Sequence, residues 1–302
     1  MKVGIVGAGA VGTACMFALT LRGSASEIVL VNRSHERARG AVADLQYGAV
    51  LAPHVSLRAG HYDDLGGATV VMITAGANEK QGGATDRDDP AGRLRLLATN
   101  ANVYRDIVPR IVAAAPDALL LVITDPPDPL ADVARRICKH DRVLSSGTFL
   151  DSLRFRFHLA KKFALDPKSV EAQVIGEHGT SQVYLWSTAR VAGTAIAHDD
   201  AIRNEIEHDV RYANISIIEG TGASQLGIGV VAARIAEMIG RNEGAVVPIG
   251  TYQERFGVTF SLPSHVGREG VTRVVMPTLA ADEARALEES AATLRRALQS
   301  IE

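Results

Sequence analysis

Only two cysteines, Cys15 and Cys138, occur in 302 residues. They lie far apart in apolar helical patterns, which excludes a disulfide framework or a cysteine-built metal site. Two isolated thiols are expected to stay reduced in a cytoplasmic protein, because disulfides persist mainly in oxidising compartments. No apolar run approaches the roughly 18 residues that a membrane helix needs. Strand-like sequence begins at Lys2, so no signal peptide is expected. Charge of one sign is also lacking: 32 Lys and Arg face 34 Asp and Glu, for a formal net charge of -2. That balance gives no basic field for nucleic acid or an anionic membrane. Repeats, low-complexity segments and a flexible linker are absent from the sequence as well.

What is present is the material of a large core, with 47% hydrophobic and 22% charged residues, over a length that suits one large or two ordinary domains. Residues 2–6 form a short β-branched run, followed by glycines and an apolar helical stretch at 10–21. Residues 27–31, 54–59, 69–74, 118–123 and 142–144 are expected as further strands. The continuous apolar character of 27–31 suits a parallel sheet covered on both faces, and 54–59 is the weaker strand. Helices are expected at 34–47, with Ser34 as N-cap, and at 92–115 and 129–138. A polar, glycine-rich loop at 76–89 is too long for an ordinary connection and has the length of a functional lid. This alternation predicts an α/β fold with an N-terminal Rossmann doubly wound parallel sheet over residues 1–145. Residues 146–302 read as a C-terminal α+β substrate domain. Its expected helices are 149–163, 199–219, 224–239 and 282–301. Strands at 170–175 and 183–191 flank a histidine loop, and 246–252, 258–262 and 271–275 form an antiparallel set.

Two stretches carry chemistry. In Gly7-Ala8-Gly9-Ala10-Val11-Gly12 the first glycine makes a tight turn. The second admits a pyrophosphate to the backbone, and the third packs helix on strand. Gly7, Gly9, Ala10, Val11 and Gly12 are therefore expected to bind a dinucleotide at the helix N-terminus. The second strand ends in Asn32-Arg33-Ser34, without the acidic residue that receives the ribose hydroxyls of NAD. Arg33 would pair with a 2′-phosphate, and Asn32 and Ser34 could donate to it, so NADP(H) is expected over NAD(H). As a solvated loop residue, Arg33 would leave NAD(H) in place. The second stretch is Val174-Ile175-Gly176-Glu177-His178-Gly179, a histidine held between glycines. Singly, His178 reads as well as a structural histidine. Asp151 and Arg154 share a helix face and read as well as a surface pair.

With GIVGAGAVG, TAGANEKQGG, SSGTFLDSLRFRFHLA, VIGEHGTSQVYLWS and SLPSHVGREGVTRVVMP, nearly the whole chain resembles the lactate/malate dehydrogenase family. The resemblance implies that His178 exchanges a proton with a 2-oxo or 2-hydroxy acid and that Asp151 orients its imidazole. It implies that Arg154 grips the substrate carboxylate, that Arg87 in the long loop polarises the carbonyl, and that Ser224 lines the pocket. Thr74, Ala75 and Gly76 join the cofactor site. A small-molecule partner, no metal, and a homodimer or homotetramer are expected on the same ground.

Three residues depart from the family. Glu79 stands where the substrate's far end is read, usually by glutamine or arginine. Asp125 replaces an asparagine, and Thr180 an aspartate. A carboxylate at Glu79 would repel a dicarboxylate in a water-poor site, and an ionised Asp125 cannot donate as an amide does. The expectation is a family member with altered substrate preference, for a 2-oxo acid bearing an amino or other donor group. Its alternatives are an ordinary NAD-dependent L-lactate or malate dehydrogenase and a nucleotide-binding sensor with weak or no turnover. An NAD-dependent glycosidase on a related fold would need a metal held by cysteine and histidine, for which Cys138 has no suitable partner.

Overall fold

The computed structural model describes residues 1–89, 91–196 and 198–301. The first half alternates β1 (Lys2–Val6), α1 (Ala10–Arg22), β2 (Glu27–Val31), α2 (His35–Ala49), β3 (Ser56–Gly60) and β4 (Val70–Ile73). It continues with α3 (Leu97–Ala114), β5 (Leu119–Val122), α4 (Pro127–Cys138) and β6 (Val143–Ser145). The second half opens with α5 (Phe149–Lys162) and five two-residue strands: β7 (Val170–Glu171), β8 (Val174–Ile175), β9 (Val183–Tyr184), β10 (Arg190–Val191) and β11 (Thr194–Ala195). Then follow α6 (Asp200–Arg211), α7 (Ala213–Thr221), α8 (Leu226–Gly240), β12 (Ala245–Gln253), β13 (Val258–Gly267), β14 (Gly270–Val274) and α9 (Ala281–Gln299).

The six N-terminal strands pair in parallel in the order β6-β5-β4-β1-β2-β3. β4, β5 and β6 are buried throughout, as expected of strands covered on both faces. On one face lie α1, α2 and α8, with Cys15, Leu19, Val42 and Ile235 in the core. On the other lie α3, α4 and α9, with Tyr104, Ile111, Leu130 and Leu294. A third cluster around Phe155, Tyr184 and Trp186 fills the second half. Among the described residues no helix is long and apolar enough to cross a membrane.

The antiparallel set does not stand apart. β12 pairs with β6 at Gly250 and Ser145, so the sheet runs to nine strands, β14-β13-β12 continuing beyond β6. Gly250 permits this junction, because a Cβ there would collide with the Ser145 hydroxyl. Three other expectations change. Residues 92–96 form a 3-10 turn leading into α3. The helix expected at 199–219 bends at Tyr212, which lies between α6 and α7 and still bonds in both directions. The strands at 170–175 and 183–191 break into short pieces, because β7 pairs with β10 while β8 pairs with β9.

The packing of α8 on α1 sets how the second half sits over the nucleotide-binding edge. A Cβ on Gly229 would lie 2.8 Å from the carbonyl carbon and oxygen of Ala14. Replacing glycine by alanine in a helix normally gains up to about 1 kcal/mol. Overpacking at this contact is expected to reverse that sign, so Gly229→Ala should lose about 1–3 kcal/mol. Urea unfolding measures it, and an unchanged or raised midpoint would contradict the contact.

Candidate active site

The turn after β1 is built for close approach. Gly7 has φ +118°, in the region that side chains avoid. A Cβ on Gly12 would collide with the Gly7 carbonyl, while one on Gly9 would meet nothing within 4 Å. The turn is thus closed behind and open in front, where the first amides of α1 point outward without intrahelical partners. Thr74 at the end of β4 donates from Oγ1 to the carbonyls of Val6 and Gly7, at 3.2 and 3.0 Å. These features fit a dinucleotide pyrophosphate. Asn32 serves this turn: its Oδ1 accepts from the Ala8 amide at 3.0 Å and its Nδ2 donates to the Ser34 carbonyl at 3.1 Å. The tether leaves one Nδ2 hydrogen of the amide uncommitted. Ser34 caps α2, its hydroxyl oxygen accepting from the Arg37 amide. Arg33 is exposed and carries no ion pair among the described residues.

The histidine loop is fixed from three sides. Gly176 has φ +81° and exchanges backbone hydrogen bonds with Ser261 of β13 at 2.9 and 3.0 Å. The buried Glu177 accepts from the backbone amide and hydroxyl of Ser181, so a Cβ at Gly179 would strike its carboxylate. The His178 amide donates to Asp128 Oδ2 at 2.7 Å. α5 is tied to the same loop, since Ser152 Oγ accepts from the Val174 amide at 2.9 Å. That places Asp151, in the first turn of α5 and 1% exposed, against the imidazole.

His178 Nδ1 and Asp151 Oδ2 share a short hydrogen bond. His178 Nε2 faces the cleft and meets Arg93 Nη1 at 2.7 Å. Arginine can only donate, so Nε2 accepts, the proton sits on Nδ1, and the imidazole is neutral. Burial lowers the His178 pKa and the Arg93 cation lowers it further, against the opposing pull of Asp151. Burial alone would raise Asp151. The hydrogen bond from His178, the charge that this imidazole takes on at acid pH, and the Arg154 and Arg93 cations override that and hold it well below the usual carboxylate range. Arg154 Nη1 lies 3.0 Å from Asp151 Oδ1.

One cleft collects Val11, Thr74 and Gly76 from the nucleotide end with Glu79, Asp125, Arg154, His178 and Ser224 from the chemical end. Its accessible space is about 100 Å³. Ala75 lies beside it, packed against the core. Asp125 sits 3.7 Å from Arg93 Nε and 3.8 Å from His178 Nε2. Burial raises it well above the carboxylate range. Arg93 opposes that rise, and the neighbouring Glu79 adds to it.

Arg87 is a correction. Its guanidinium pairs with Glu219, at 2.6 and 2.8 Å, and with Ser216, away from the cleft. The arginine at the imidazole is Arg93, six positions further on and 8% exposed. Its signal in the sequence was a charged residue opening an apolar helical run, right after the polar loop. Asn100 also supports the site. Fully buried on α3, it binds the Ala77 backbone from both ends of its amide and donates to the Asp125 carbonyl at 2.6 Å. It thereby ties the loop to the strand end.

Residues 1–144 match the lactate/malate dehydrogenase NAD binding domain, and residues 148–302 match the alpha/beta C-terminal domain of the same family. An L-lactate dehydrogenase of Deinococcus radiodurans is 41% identical over all of this chain and 99% of its own length. One from Thermus aquaticus is 39% identical over 100% and 99%. The crystal structure of a minor L-lactate dehydrogenase from Enterococcus mundtii superposes with a TM-score of 0.91 at 32% identity, covering 100% of this chain and 98% of that one.

Asp128 offers a test of the loop's support. Burial pushes its pKa up to about 7, although Ser145 and the His178 amide hold it down. The folded chain therefore keeps a proton that the unfolded chain releases above about pH 4. Its contribution to stability falls as pH rises from about 4 to about 7 and is level above that. Asp128→Asn should make the loss of stability between pH 5 and pH 8 smaller. An identical loss in urea unfolding at the two pH values would contradict the assignment.

Proposed function

The chain belongs to the lactate/malate dehydrogenase family and is an oxidoreductase of that type. On that premise we propose that it moves a hydride between a nicotinamide cofactor, NADP(H) in preference to NAD(H), and C2 of a 2-hydroxy or 2-oxo acid other than plain lactate or malate. The observation that carries the reaction is His178 Nε2, presented to the cleft beside two arginines and backed by a buried carboxylate.

Arg154 pairs with the substrate carboxylate in the two-pronged geometry that a lysine lacks. The substrate oxygen then takes the place near His178 Nε2 that Arg93 Nη1 fills at 2.7 Å, and Arg93 turns to polarise that oxygen. The substrate's negative charge offsets the cations that hold His178 down, so the imidazole gains a proton when a 2-oxo acid binds. In reduction His178 delivers that proton to the carbonyl oxygen, and in oxidation it removes the hydroxyl proton. Asp151 stabilises the imidazolium. The nicotinamide, when bound, accepts or supplies the hydride at C2.

The cofactor preference is supported by the exposed Arg33 and by the lack of a carboxylate at the end of β2. The N-terminus of α2, capped by Ser34, adds favourable partial charge for a phosphate. A second reading, an ordinary NAD-dependent L-lactate dehydrogenase, is favoured by the names of the relatives and of the matched N-terminal domain. A homo-oligomer belongs to the same proposal. Tyr47, Val50 and Leu51 at the end of α2 leave 83%, 83% and 94% of their surface exposed, and a second copy would cover them.

Initial rates with NADPH and NADH, side by side on a panel of 2-oxo acids, separate the two readings. The proposal predicts preference for NADPH and a loss of that preference, by tenfold or more in kcat/KM, in Arg33→Ala. Preference for NADH in the parent protein would establish the second reading. Removing the polarising donor in Arg93→Ala should lower kcat by about 10²-fold or more, while Arg87→Ala should stay within about twofold, as befits a surface ion pair. A large effect at Arg87 and none at Arg93 would overturn the assignment.

A further inference from the structure

Two imidazoles stack at the far end of the nucleotide edge, where the hydride chemistry has no use for them. β2 and β3 pair in parallel and end level, Val31 beside Gly60. From β2 the chain runs through Asn32, Arg33 and Ser34 into His35, the first residue of α2. From β3 it runs directly into His61. The two rings meet across the strand ends, their centroids 4.5 Å apart and their planes 16° from parallel. Asn32 ties the same strand end to the phosphate turn through the Ala8 amide at 3.0 Å. A dinucleotide whose pyrophosphate lies on that turn therefore brings its adenosine ribose to this strand end.

The rings are not equivalent. His35 is half-buried, and its Nδ1 is buried without a hydrogen-bond partner among the described residues. Orphaned buried donors are the rarer case, so that nitrogen keeps its lone pair and the ring's proton belongs on Nε2. A second proton on His35 would bury a charge with no acceptor. His61 is exposed, so it is the ring that gains a proton when an anion arrives. Two charged rings at 4.5 Å would repel, so the pair takes one proton and not two.

The surrounding charge favours an anion. Asp64 is committed to Arg58 Nη1 at 2.6 Å and to the His61 amide at 2.8 Å. On α3, which packs against the turn after β3, Asp106 is paired with Arg110 at 2.7 Å. That leaves Arg33, Arg37 and Arg39 against Glu36 and Asp63, none of them in an ion pair among the described residues. A cation is in excess with no carboxylate to answer it. Ser34 Oγ accepts from the Arg37 amide at 3.3 Å and keeps its hydrogen to give. A phosphate monoester, a dianion with three acceptor oxygens, uses all of these groups, whereas a neutral ribose hydroxyl leaves the charge unanswered.

We propose that His35 and His61, with Arg33, form the seat of the cofactor's 2′-phosphate, and that His61 takes up a proton from solvent as the phosphate arrives. The inference rests on the NADP(H) reading given above. His61 and Arg33 meet the phosphate as cations, and His35 donates from Nε2. Because binding carries a proton with it, the advantage of NADP(H) over NAD(H) falls as pH rises above neutrality.

The test compares NADP+ with NAD+, which differ only in the 2′-phosphate. Calorimetry of each binding to the protein at pH 7.5, in buffers of different ionisation heat, should show more proton uptake for NADP+ than for NAD+. The phosphate cannot mimic that result. Its second ionisation lies near pH 6, and contact with cations draws its residual proton off, which has the opposite sign. His61→Phe keeps a ring on the stack and should abolish the difference in uptake. It should also lower the ratio of kcat/KM for NADPH over NADH, on one 2-oxo acid, by about tenfold or more, the worth of a hydrogen bond to a charged group. His35→Phe should lower the same ratio while the uptake persists. A parent protein that prefers NADPH, with ratio and uptake both unmoved by His61→Phe, would overturn the histidine seat and leave the cofactor reading to Arg33. A parent protein that prefers NADH would overturn the cofactor reading, and the inference with it.

Discussion

The hydrogen bond between Asp151 and the His178 imidazole is the constraint on which the site depends. A buried carboxylate is tolerated only where charge and hydrogen bonds compensate it. Here His178, Arg154 and Arg93 supply that compensation. The same bond fixes the imidazole tautomer, puts the free lone pair in the cleft, and makes protonation of His178 favourable once an anion has offset the arginines. Removing Asp151 would leave a neutral imidazole beside two cations with nothing to hold a proton on it.

Holding this pair in register requires the two halves of the chain to act as one body. Asp151 belongs to α5, just beyond β6, and His178 to a loop stapled to β13 by Gly176 and Ser261. β6 and β13 are linked through β12 in one sheet, and Asp128 of α4 grips the His178 amide. Asn100 performs the corresponding service for the other wall, joining the loop at Ala77 to the end of β5 through Asp125. The nucleotide end and the chemical end thus meet along the C-terminal edge of a single sheet, where open α/β sheets bind their ligands.

Much of this was legible in the residues because it rests on strong local signals. Most of the parallel strands announced themselves as apolar runs, β3 with its Ser56 and Arg58 being the weak one, the phosphate turn by its glycine spacing, and His178, Asp151 and Arg154 by residue type in long motifs. Arg93 carried only a weak signal, a charge at the start of an apolar helical run. The loop between Gly76 and Leu96 has no periodicity to fix its register, and Arg87 offered the same chemistry six positions earlier. Nor could Asn32 be read as a tether, because its partner, the Ala8 amide, lies beyond the end of the neighbouring strand β1, 24 residues away in the chain. The strands of two residues beside the histidine loop are too short to carry a pattern.

The most direct measurement is the protonation of His178 followed by nuclear magnetic resonance as pH is varied. It should be made in the free protein and again with reduced cofactor and an unreactive 2-oxo acid analogue such as oxamate. The account predicts a midpoint below the ordinary 6.5 of histidine in the free protein. It predicts a clear upward shift when the analogue's carboxylate offsets Arg154 and Arg93, and loss of that shift in Asp151→Asn. A midpoint that does not move on binding, or moves equally without the carboxylate of Asp151, would contradict it.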